Sequence, residues 1–131
     1  MVEKIIVIGS GPAGISAALY ASREGFNPVL IRGADAGSQL LLAPYIENFP
    51  GHKKIAGSQL IKAMEEQAQE FGTRFIDGDV TKVDFDSKPR KVFVGDVVYE
   101  TDAVIIATGA SQRWLGIPSE KGFIGKGVSS C

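Results

Sequence analysis

Short runs of apolar residues along the chain predict buried β-strands. Residues 5–8 are aliphatic in succession, without alternating polar positions, and such a run is typical of a parallel strand covered on both faces. Residues 28–31 form a second run, and the segment between the two, 13–24, has a helical pattern. A strand, a helix and a strand within about 30 residues predict a right-handed βαβ unit.

Helical spacing of apolar residues predicts two amphipathic helices. The first covers residues 13–24 and ends at Gly25, whereas the second begins with Ser58 as its N-cap and ends at Gly72. We expect the acidic residues of the second helix to lie on a solvated face. The side chains predicted to face the core are Ile15, Ala18, Leu19 and Ser22 in the first helix and Leu60, Ile61, Met64, Ala68 and Phe71 in the second.

The remaining strands are of two kinds. Residues 75–76 and 103–107 are predicted to be buried strands of a parallel set. Between them, alternating polar and apolar residues predict a small antiparallel β-meander over 80–85, 92–94 and 97–99. No later segment has a strand pattern, so we expect an α/β domain that stays short of the roughly five or six strands of a complete sheet.

The longest irregular region spans residues 33–57. A loop of this length in a compact domain is usually functional or disordered. This one mixes aromatic and aliphatic residues with amides, which indicates a packed, ligand-binding loop. The amides of Gln39 and Asn48 could face a ring edged with donors and acceptors, or they could only tie the loop to itself. Both interpretations stay open at this point.

A glycine pattern lies at the junction of the first strand and the first helix. Gly9, Gly11 and Gly14 have the spacing Gly-x-Gly-x-x-Gly, which permits a tight turn, close approach of a pyrophosphate and close helix–strand packing, in that order. Pro12 suits the first helical turn, where its missing N–H costs nothing. Because the free N–H groups of that turn attract an anion, the pattern predicts a dinucleotide site.

The ribose contact of such a site is not obvious from the sequence. An acidic residue about 20 positions after the glycines would bind an adenosine ribose, but the second strand ends at Arg32, and Asp35 is three residues further on. Arg32 could contact a 2′-phosphate, or it could be a solvated arginine at a strand end. Thr108 and Gly109 follow the last buried strand, so we expect them near the Gly9 turn.

Composition narrows the functional classes. The 131 residues carry a net charge of −1 and have a pI near 5.8, which suits one domain and gives no electrostatic footprint for nucleic acid or an anionic membrane. No apolar run approaches the roughly 20 residues of a membrane span. Met1 stands directly before the first strand, so we expect no signal segment.

Histidine and cysteine are scarce. His52 and Cys131 are the only residues of these types, which is too few for a His/Cys metal cluster. A lone cysteine forms no internal disulfide, so a reducing, cytoplasmic environment is expected.

Six motifs occur together along the chain. They are Gly-Ser-Gly-Pro-Ala-Gly at 9–14, Gly-x-Gln-Leu at 37–40, Glu-Asn-Phe-Pro-Gly at 47–51, Gly-Asp-Val at 78–80, Ala-Thr-Gly-Ala at 107–110 and Gly-Val-Ser-Ser-Cys at 127–131. In this order they resemble the N-terminal part of the low-molecular-weight, bacterial-type thioredoxin reductases, and the resemblance covers the whole chain. The motifs at 47–51 and 127–131 are more specific than the glycine loop.

The resemblance implies a Rossmann-like FAD-binding fold that is an incomplete domain, with FAD at the first glycine loop. Residues 1–115 would be the N-terminal part of the FAD-binding domain, and 116–131 a linker toward an NADPH-binding domain outside this chain. Gln39 and Asn48 would sit near the flavin ring, and Val80 would meet the adenine through its backbone. The implied cofactor-binding residues are Gly9, Ser10, Gly11, Pro12, Ala13, Gly14, Arg32, Gln39, Leu40, Asn48, Val80, Thr108 and Gly109.

The resemblance also implies an activity, namely NADPH-dependent reduction of thioredoxin or a thioredoxin-like protein by a cytoplasmic homodimer. Cys131 would be the first cysteine of the redox pair and would attack the disulfide of the partner, and its resolving cysteine would follow it. We therefore expect the 131-residue chain alone to be inactive and to hold FAD weakly at best.

Three positions depart from the family pattern, and three alternatives stay open. Ser38 stands where a glycine is usual, Arg32 where many members have glutamate, and residues 41–44 where a threonine-rich run is usual.

The alternative functions are those of a ferredoxin- or NADPH-linked relative without the second cysteine, the flavoprotein of an alkyl hydroperoxide reductase, and a plain NAD(P)-binding module. Met1 directly before the first strand argues against the hydroperoxide reductase, which would carry an extra N-terminal domain.

Overall fold

A mixed β-sheet runs through the centre of the molecule. A computed structural model of the chain describes residues 2–33 and 38–129. Asp35, Gly37 and Cys131, which the sequence singled out, lie outside these residues. In chain order the elements are β1 (Val2–Ile8), α1 (Pro12–Arg23), β2 (Val29–Arg32), α2 (Ser38–Leu42), α3 (Gly57–Glu70), β3 (Arg74–Asp77), β4 (Val80–Asp84), β5 (Arg90–Val94), β6 (Val97–Ile106) and α4 (Glu120–Phe123).

The described strands form one six-stranded sheet in the order β3-β2-β1-β6-β5-β4. The first four are parallel, whereas β5 pairs antiparallel with both β6 and β4. The predicted α/β fold is confirmed. The expectation that the sheet would stay short of five or six strands is wrong, because the antiparallel meander joins the parallel set instead of standing apart from it.

One long strand, β6, makes that connection. Its first half pairs with β5 and its second half pairs with β1, so the separate strands predicted at 97–99 and 103–107 are a single element. Thr101 interrupts the apolar pattern, yet it is fully buried and donates its hydroxyl to the carbonyl oxygen of Ala103 at 2.9 Å. A buried polar residue that is satisfied in this way does not end a strand.

The core has one cluster on each face of the sheet. Alternate side chains of β1 and β2 point to opposite faces. On one face the buried residues are Ile6, Ile8, Val29, Ile31, Val92 and Val94, which are joined by partly buried side chains of the meander. On the other face, α1 and α3 contribute to a cluster of Val7, Ile15, Ala18, Leu30, Ile61 and Ala68. The two helices therefore cover one face, and the meander helps to cover the other.

The two predicted helices form, with corrections at their ends. Gly25 follows α1 with φ +82° and Gly72 follows α3 with φ +106°, as expected for helix C-termini. The prediction of Ser58 as N-cap is wrong, because Ala56 occupies that position. Phe71 does not face the core: its side chain is 46% exposed, and the guanidinium of Arg23 lies 5.9 Å from its ring.

Residues 38–57 are more ordered than the predicted loop. They contain α2, and an isolated antiparallel bridge joins Ile46 to Ile55. A Cβ on Gly57 would overlap the carbonyl oxygen of Leu40, so α3 can begin against α2 only because this residue has no side chain. The N–H of Gly57 also donates to the carbonyl oxygen of Ala43 at 3.2 Å. The predicted packed loop is thus supported by contacts that link it to α3.

The segment after β6 contains a short helix that the sequence pattern did not predict. The buried carboxylate of Glu120 accepts the N–H groups of Leu115 and Gly116 at 3.0 and 2.8 Å. Another correction concerns β6 itself, which was predicted to be buried at its end. The side chain of Ile106 is 62% exposed, so this end of β6 is not covered by the described residues.

The turn after β4 contains a carboxylate, Asp84, whose ionisation should make the stability of the fold depend on pH. Asp84 accepts the N–H groups of Asp86 and Ser87 on Oδ1, both at 3.1 Å. The pKa of Asp84 is held below its ordinary 3.8, chiefly by the hydrogen bond from Ser87. Since the folded pKa lies below the unfolded one, this stabilisation is present above the unfolded pKa and is lost as pH falls through the folded pKa.

We expect Asp84→Asn, which keeps an acceptor oxygen but cannot ionise, to be less stable than the parent near neutral pH. The difference should shrink as pH falls from about 5 to about 2. Urea unfolding midpoints at these two pH values measure it. Asp86→Asn is the matched control, because Asp86 contributes a main-chain N–H to the turn. An equal pH trend in both variants would contradict the assignment.

Candidate dinucleotide site

The carboxyl ends of the four parallel strands meet at one crevice. The switch point of the parallel strands lies at β1, which has β2 on one side and β6 on the other, and ligands of open α/β sheets bind at such a point. The crevice has a volume of about 390 Å³, within the range of roughly 300–1,000 Å³ that is usual for small-molecule sites. It is lined by Ile8, Gly9, Ser10, Gly11, Ile31, Gly33, Gly78, Asp79, Val80, Ala107, Thr108 and Gly109.

Two glycines of the loop are required by the packing around them. Gly9 has φ +109°, and a Cβ there would overlap the carbonyl oxygen of Ala107. A Cβ on Gly14 would overlap the carbonyl oxygen of Gly9. The N–H of Gly9 donates to Ile31 at 3.0 Å. These contacts bring the start of α1 against the ends of three strands, as the predicted roles of Gly9 and Gly14 require.

Gly11 has a different role from the other two glycines. It is the N-cap of α1, with φ −72° and ψ 176°, a backbone conformation that any residue can adopt. Pro12 begins the helix, and the first helical N–H to bond back to Gly11 is that of Ile15, at 3.0 Å. The N–H groups of Ala13 and Gly14 therefore precede the helical ladder, the position at which helix N-termini bind anions.

The ends of β3 and β6 complete the crevice. Gly78, with φ +147°, donates its N–H to the carbonyl oxygen of Arg32 at 2.8 Å, which places the turn into β4 beside the end of β2. Val80 follows this turn and lines the crevice together with Thr108 and Gly109. The structure thus brings Val80, Thr108 and Gly109 close to the glycine loop. Their contact with a cofactor stays a prediction.

Gln39 and Leu40 belong to α2, at the side of this region. The amide of Gln39 donates from Nε2 to the carbonyl oxygen of Ala110 at 2.9 Å, so it links α2 to the segment just after β6. Leu40 packs against the core cluster of α1 and α3. This hydrogen bond is a tie within the protein, and a cofactor contact by Gln39 stays a prediction.

Asn48 is not among the residues that line the glycine-loop crevice. It lines a separate concavity of about 490 Å³ that is formed by residues 47–53 alone. In that segment the rings of Phe49 and His52 lie 6.3 Å apart at 40°. Asn48 thus does not line the glycine-loop crevice, and its predicted place near a flavin ring is untested.

Arg32 is engaged by two carboxylates. Its Nε lies 2.8 Å from Asp77 Oδ1, and its Nη1 lies 3.4 Å from Glu65 Oε2. The guanidinium also stacks 5.1 Å from the ring of Phe75. Glu65 was expected on a solvated face, but its side chain pairs with Arg32 and is only 21% exposed. Arg32 does not line the crevice, so the structure gives no support to either a 2′-phosphate contact or a simple solvated arginine.

Six lining residues were missed as site residues by the sequence reasoning, namely Ile8, Ile31, Gly33, Gly78, Asp79 and Ala107. A Cβ on Gly33 would lie 3.0 Å from Asp79 Oδ1, and one on Gly78 would lie 2.5 Å from Val94 Cγ1. The signal was present for the two glycines, since each stands two residues after the last residue of a predicted strand. What the pattern could not supply was that the ends of β2 and β3 are neighbours.

The described residues show no group of three or more His, Cys, Asp or Glu side chains that could hold a metal ion. None of the described helices combines the length and the apolar character that crossing a membrane requires.

Known proteins are similar to this chain in sequence, and solved structures are similar to it in fold. A thioredoxin reductase from Rickettsia bellii (strain RML369-C) is 47% identical over 130 residues, covering 98% of this chain and 42% of the relative. A glucosaminate ammonia-lyase from Pseudomonas fluorescens is 46% identical over 130 residues, covering 98% and 41%. The crystal structure of Lactococcus lactis thioredoxin reductase matches with a TM-score of 0.85 at 35% identity, covering 92% of this chain and 40% of that one.

These relatives confirm the resemblance to thioredoxin reductases that the motifs indicated, and the chain spans about 42% of the length of the Rickettsia bellii relative. A family model described as pyridine nucleotide-disulphide oxidoreductase matches residues 3–131. The six-stranded sheet, the glycine loop at its switch point and this match over nearly the whole sequence show that the chain belongs to the pyridine nucleotide-disulphide oxidoreductase family.

Proposed function

We propose that the chain is the FAD-binding portion of a flavin-dependent NADPH:thioredoxin disulfide reductase. The observation that carries the proposal is the turn between β1 and α1, where Gly9 and Gly14 leave no room for side chains. That turn presents main-chain N–H groups to a crevice at the switch point of the sheet, an arrangement suited to a dinucleotide pyrophosphate. Similar proteins are named thioredoxin reductases, which supports thioredoxin as the redox partner.

The residues of the glycine loop suit the pyrophosphate of FAD through their backbone N–H groups. Ser10, Gly11, Pro12 and Ala13 line or flank the crevice, and a pyrophosphate there would be held by amide hydrogens and by the positive end of α1. Val80, Thr108 and Gly109 would border the adenosine and the remaining cofactor. Leu40 would hold α2 against the core, and Gln39 of α2 and Asn48 of the following loop would lie near the flavin ring. When bound, FAD supplies two-electron transfer between NADPH and a disulfide.

Cys131 is the proposed redox-active cysteine, and it lies outside the described residues. A thiolate at this position would attack the disulfide of thioredoxin or a thioredoxin-like protein. Residues 1–115 would then form the flavin-binding part, and 116–131 would lead to the NADPH-binding domain.

We also propose a cytoplasmic location and a homodimeric state for the complete protein. For the dimer, light scattering of the complete protein should give twice the mass of the polypeptide, and a monomer mass would refute it.

The direct test is to purify the chain, add FAD and record the visible spectrum after removing free cofactor. We expect weak flavin retention and no sustained NADPH oxidation with thioredoxin, because the chain covers only 42% of the Rickettsia bellii relative. Gly122→Ala is a control variant that should retain as much FAD as the parent, since a Cβ there meets open space. Binding of NAD(P) in place of FAD at this loop would refute the flavin assignment, and sustained turnover would refute the expected inactivity.

A second activity is supported by one specific observation, the 46% identity to a glucosaminate ammonia-lyase. The identity to that relative is nearly the same as to the thioredoxin reductases, so the shared part of the chain does not separate the two. Assays of a longer polypeptide that carries this chain decide between them. Thioredoxin reduction with NADPH supports the first activity, and ammonia release from glucosaminate supports the second.

A further inference from the structure

A second concavity lies at the amino end of β1, whereas the glycine-loop crevice lies at the carboxyl end of that strand. Its volume is about 330 Å³, within the range of roughly 300–1,000 Å³ that is usual for small-molecule sites. Its charged lining residues come from β1, from the turn between β4 and β5, from the start of β5 and from the middle of β6. The concavity and the crevice have no described lining residue in common.

The charges that line this concavity are unbalanced. Lys4, Lys88 and Arg90 are cationic, and Asp102 is the one acid among its described lining residues. The lining therefore carries two positive charges that no acid of its own compensates. Because the chain as a whole has a net charge of −1, this excess of positive charge is a local feature. We call the concavity the basic pocket.

Asp102 holds two of the cations close to each other. Its carboxylate Oδ2 lies 2.9 Å from Lys4 Nζ, and its main-chain carbonyl oxygen accepts a hydrogen bond from Arg90 Nη1 at 2.6 Å. A carbonyl oxygen carries no formal charge, so the guanidinium of Arg90 is positioned without being neutralised. Such a group has five N–H donors in a fixed fork, and this bond uses one of them. Arg90 can offer the others to a ligand.

The turn that carries the third cation, Lys88, is fixed by hydrogen bonds. Asp84 Oδ1 accepts the N–H of Ser87 at 3.1 Å, and the hydroxyl of Ser87 donates to the carbonyl oxygen of Pro89 at 2.9 Å. Lys88 lies between these two linked residues. Among the described residues, neither Lys88 nor Arg90 forms an ion pair. The backbone thus brings Lys88 to the pocket without a carboxylate to neutralise it.

We propose that the basic pocket binds a phosphoryl group with two negative charges, either as inorganic phosphate or as a small phosphomonoester. The oxygens of such a group match the fork of Arg90, and the ammonium groups of Lys4 and Lys88 act on it as point charges. Two negative charges also equal the two uncompensated cations. Val2 and Pro89 line the same pocket and would contact the organic part of an ester. The inference does not rest on the proposed dinucleotide function, which concerns the opposite end of β1.

A residue-resolved NMR titration of the full chain tests the proposal, because it locates the anion and also measures its affinity. Inorganic phosphate and glycerol 3-phosphate are added in separate titrations at one fixed ionic strength, since salt screens exposed charges. We expect saturable shifts of the main-chain N–H signals of residues 88, 90, 101 and 102 with both ligands. Shifts confined to residues 9–14 would place the anion at the glycine loop and overturn the proposal, as would shifts that do not saturate.

Three variants test which groups bind the anion. Arg90→Met keeps a long side chain without donors and should weaken phosphate binding by about tenfold or more. Lys91→Met is the matched control, because the next residue of β5 points to the opposite face and does not line the pocket. Its phosphate affinity should stay within about twofold of the parent. Asp102→Asn removes the one acid of the lining and keeps the main-chain carbonyl, so it should bind phosphate more tightly than the parent.

Equal weakening in Arg90→Met and Lys91→Met would show general charge attraction in place of a pocket and would overturn the proposal. Weaker binding by Asp102→Asn would contradict the argument from excess positive charge. A circular dichroism spectrum shows whether each variant is folded. If Arg90→Met does not fold, Lys88→Met takes its place, because Lys88 is exposed on a turn, and it should weaken phosphate binding by about threefold or more. FAD retention should be the same in all variants and reports on the glycine loop separately.

Discussion

Replacing Gly14 with alanine is expected to destabilise the chain and abolish flavin binding together. A Cβ at this position would lie well under 3.0 Å from the carbonyl oxygen of Gly9, so either α1 or the loop must move. Overpacking of this kind costs about 1–3 kcal/mol, which is a large share of the stability of a small domain. The free energy of unfolding from urea titration and the FAD affinity measure the two effects.

The matched control for this change is Gly122→Ala. Gly122 is also helical, but a Cβ there meets nothing within 4 Å. Because alanine favours a helix over glycine by about 1 kcal/mol, this variant should be as stable as the parent or slightly more stable. If Gly14→Ala also kept the parent stability and FAD affinity, the close approach of α1 to the loop would not be the feature that forms the site.

The second large effect is expected from Leu30→Ala. Leu30 lies in the middle of β2, is fully buried, and belongs to the cluster between the sheet and the two helices. Removing its side chain loses burial and leaves a cavity, at about 2–5 kcal/mol. We expect a corresponding fall in the free energy of unfolding in urea.

Leu42→Ala tests the same chemical change at the surface, since the side chain of Leu42 is 84% exposed. It should change the free energy of unfolding by no more than about 0.5 kcal/mol. The burial argument would fail if the two variants lost similar stability, or if Leu30→Ala were neutral.

Local patterns located the glycine loop and most of the secondary structure. The turn at Gly9 and the helix that starts at Pro12 depend on residues adjacent in sequence, so their pattern is visible there. The same holds for the helix ends at Gly25 and Gly72, which need only a residue that tolerates positive φ. The start of α3 could not be found in this way, because its N-terminus is set by contact between Gly57 and α2.

The sequence by itself determined that this is an α/β chain with a glycine-rich turn between its first strand and first helix, because each of those features is encoded by neighbouring residues. Only the tertiary structure decided what surrounds that turn. Arg32 meets Asp77 and Glu65 across 45 and 33 positions of the chain, and Asp79 reaches the end of β2 from the turn between β3 and β4. Such contacts follow from which strands become neighbours in the sheet, and hydrophobic periodicity carries no information about that order.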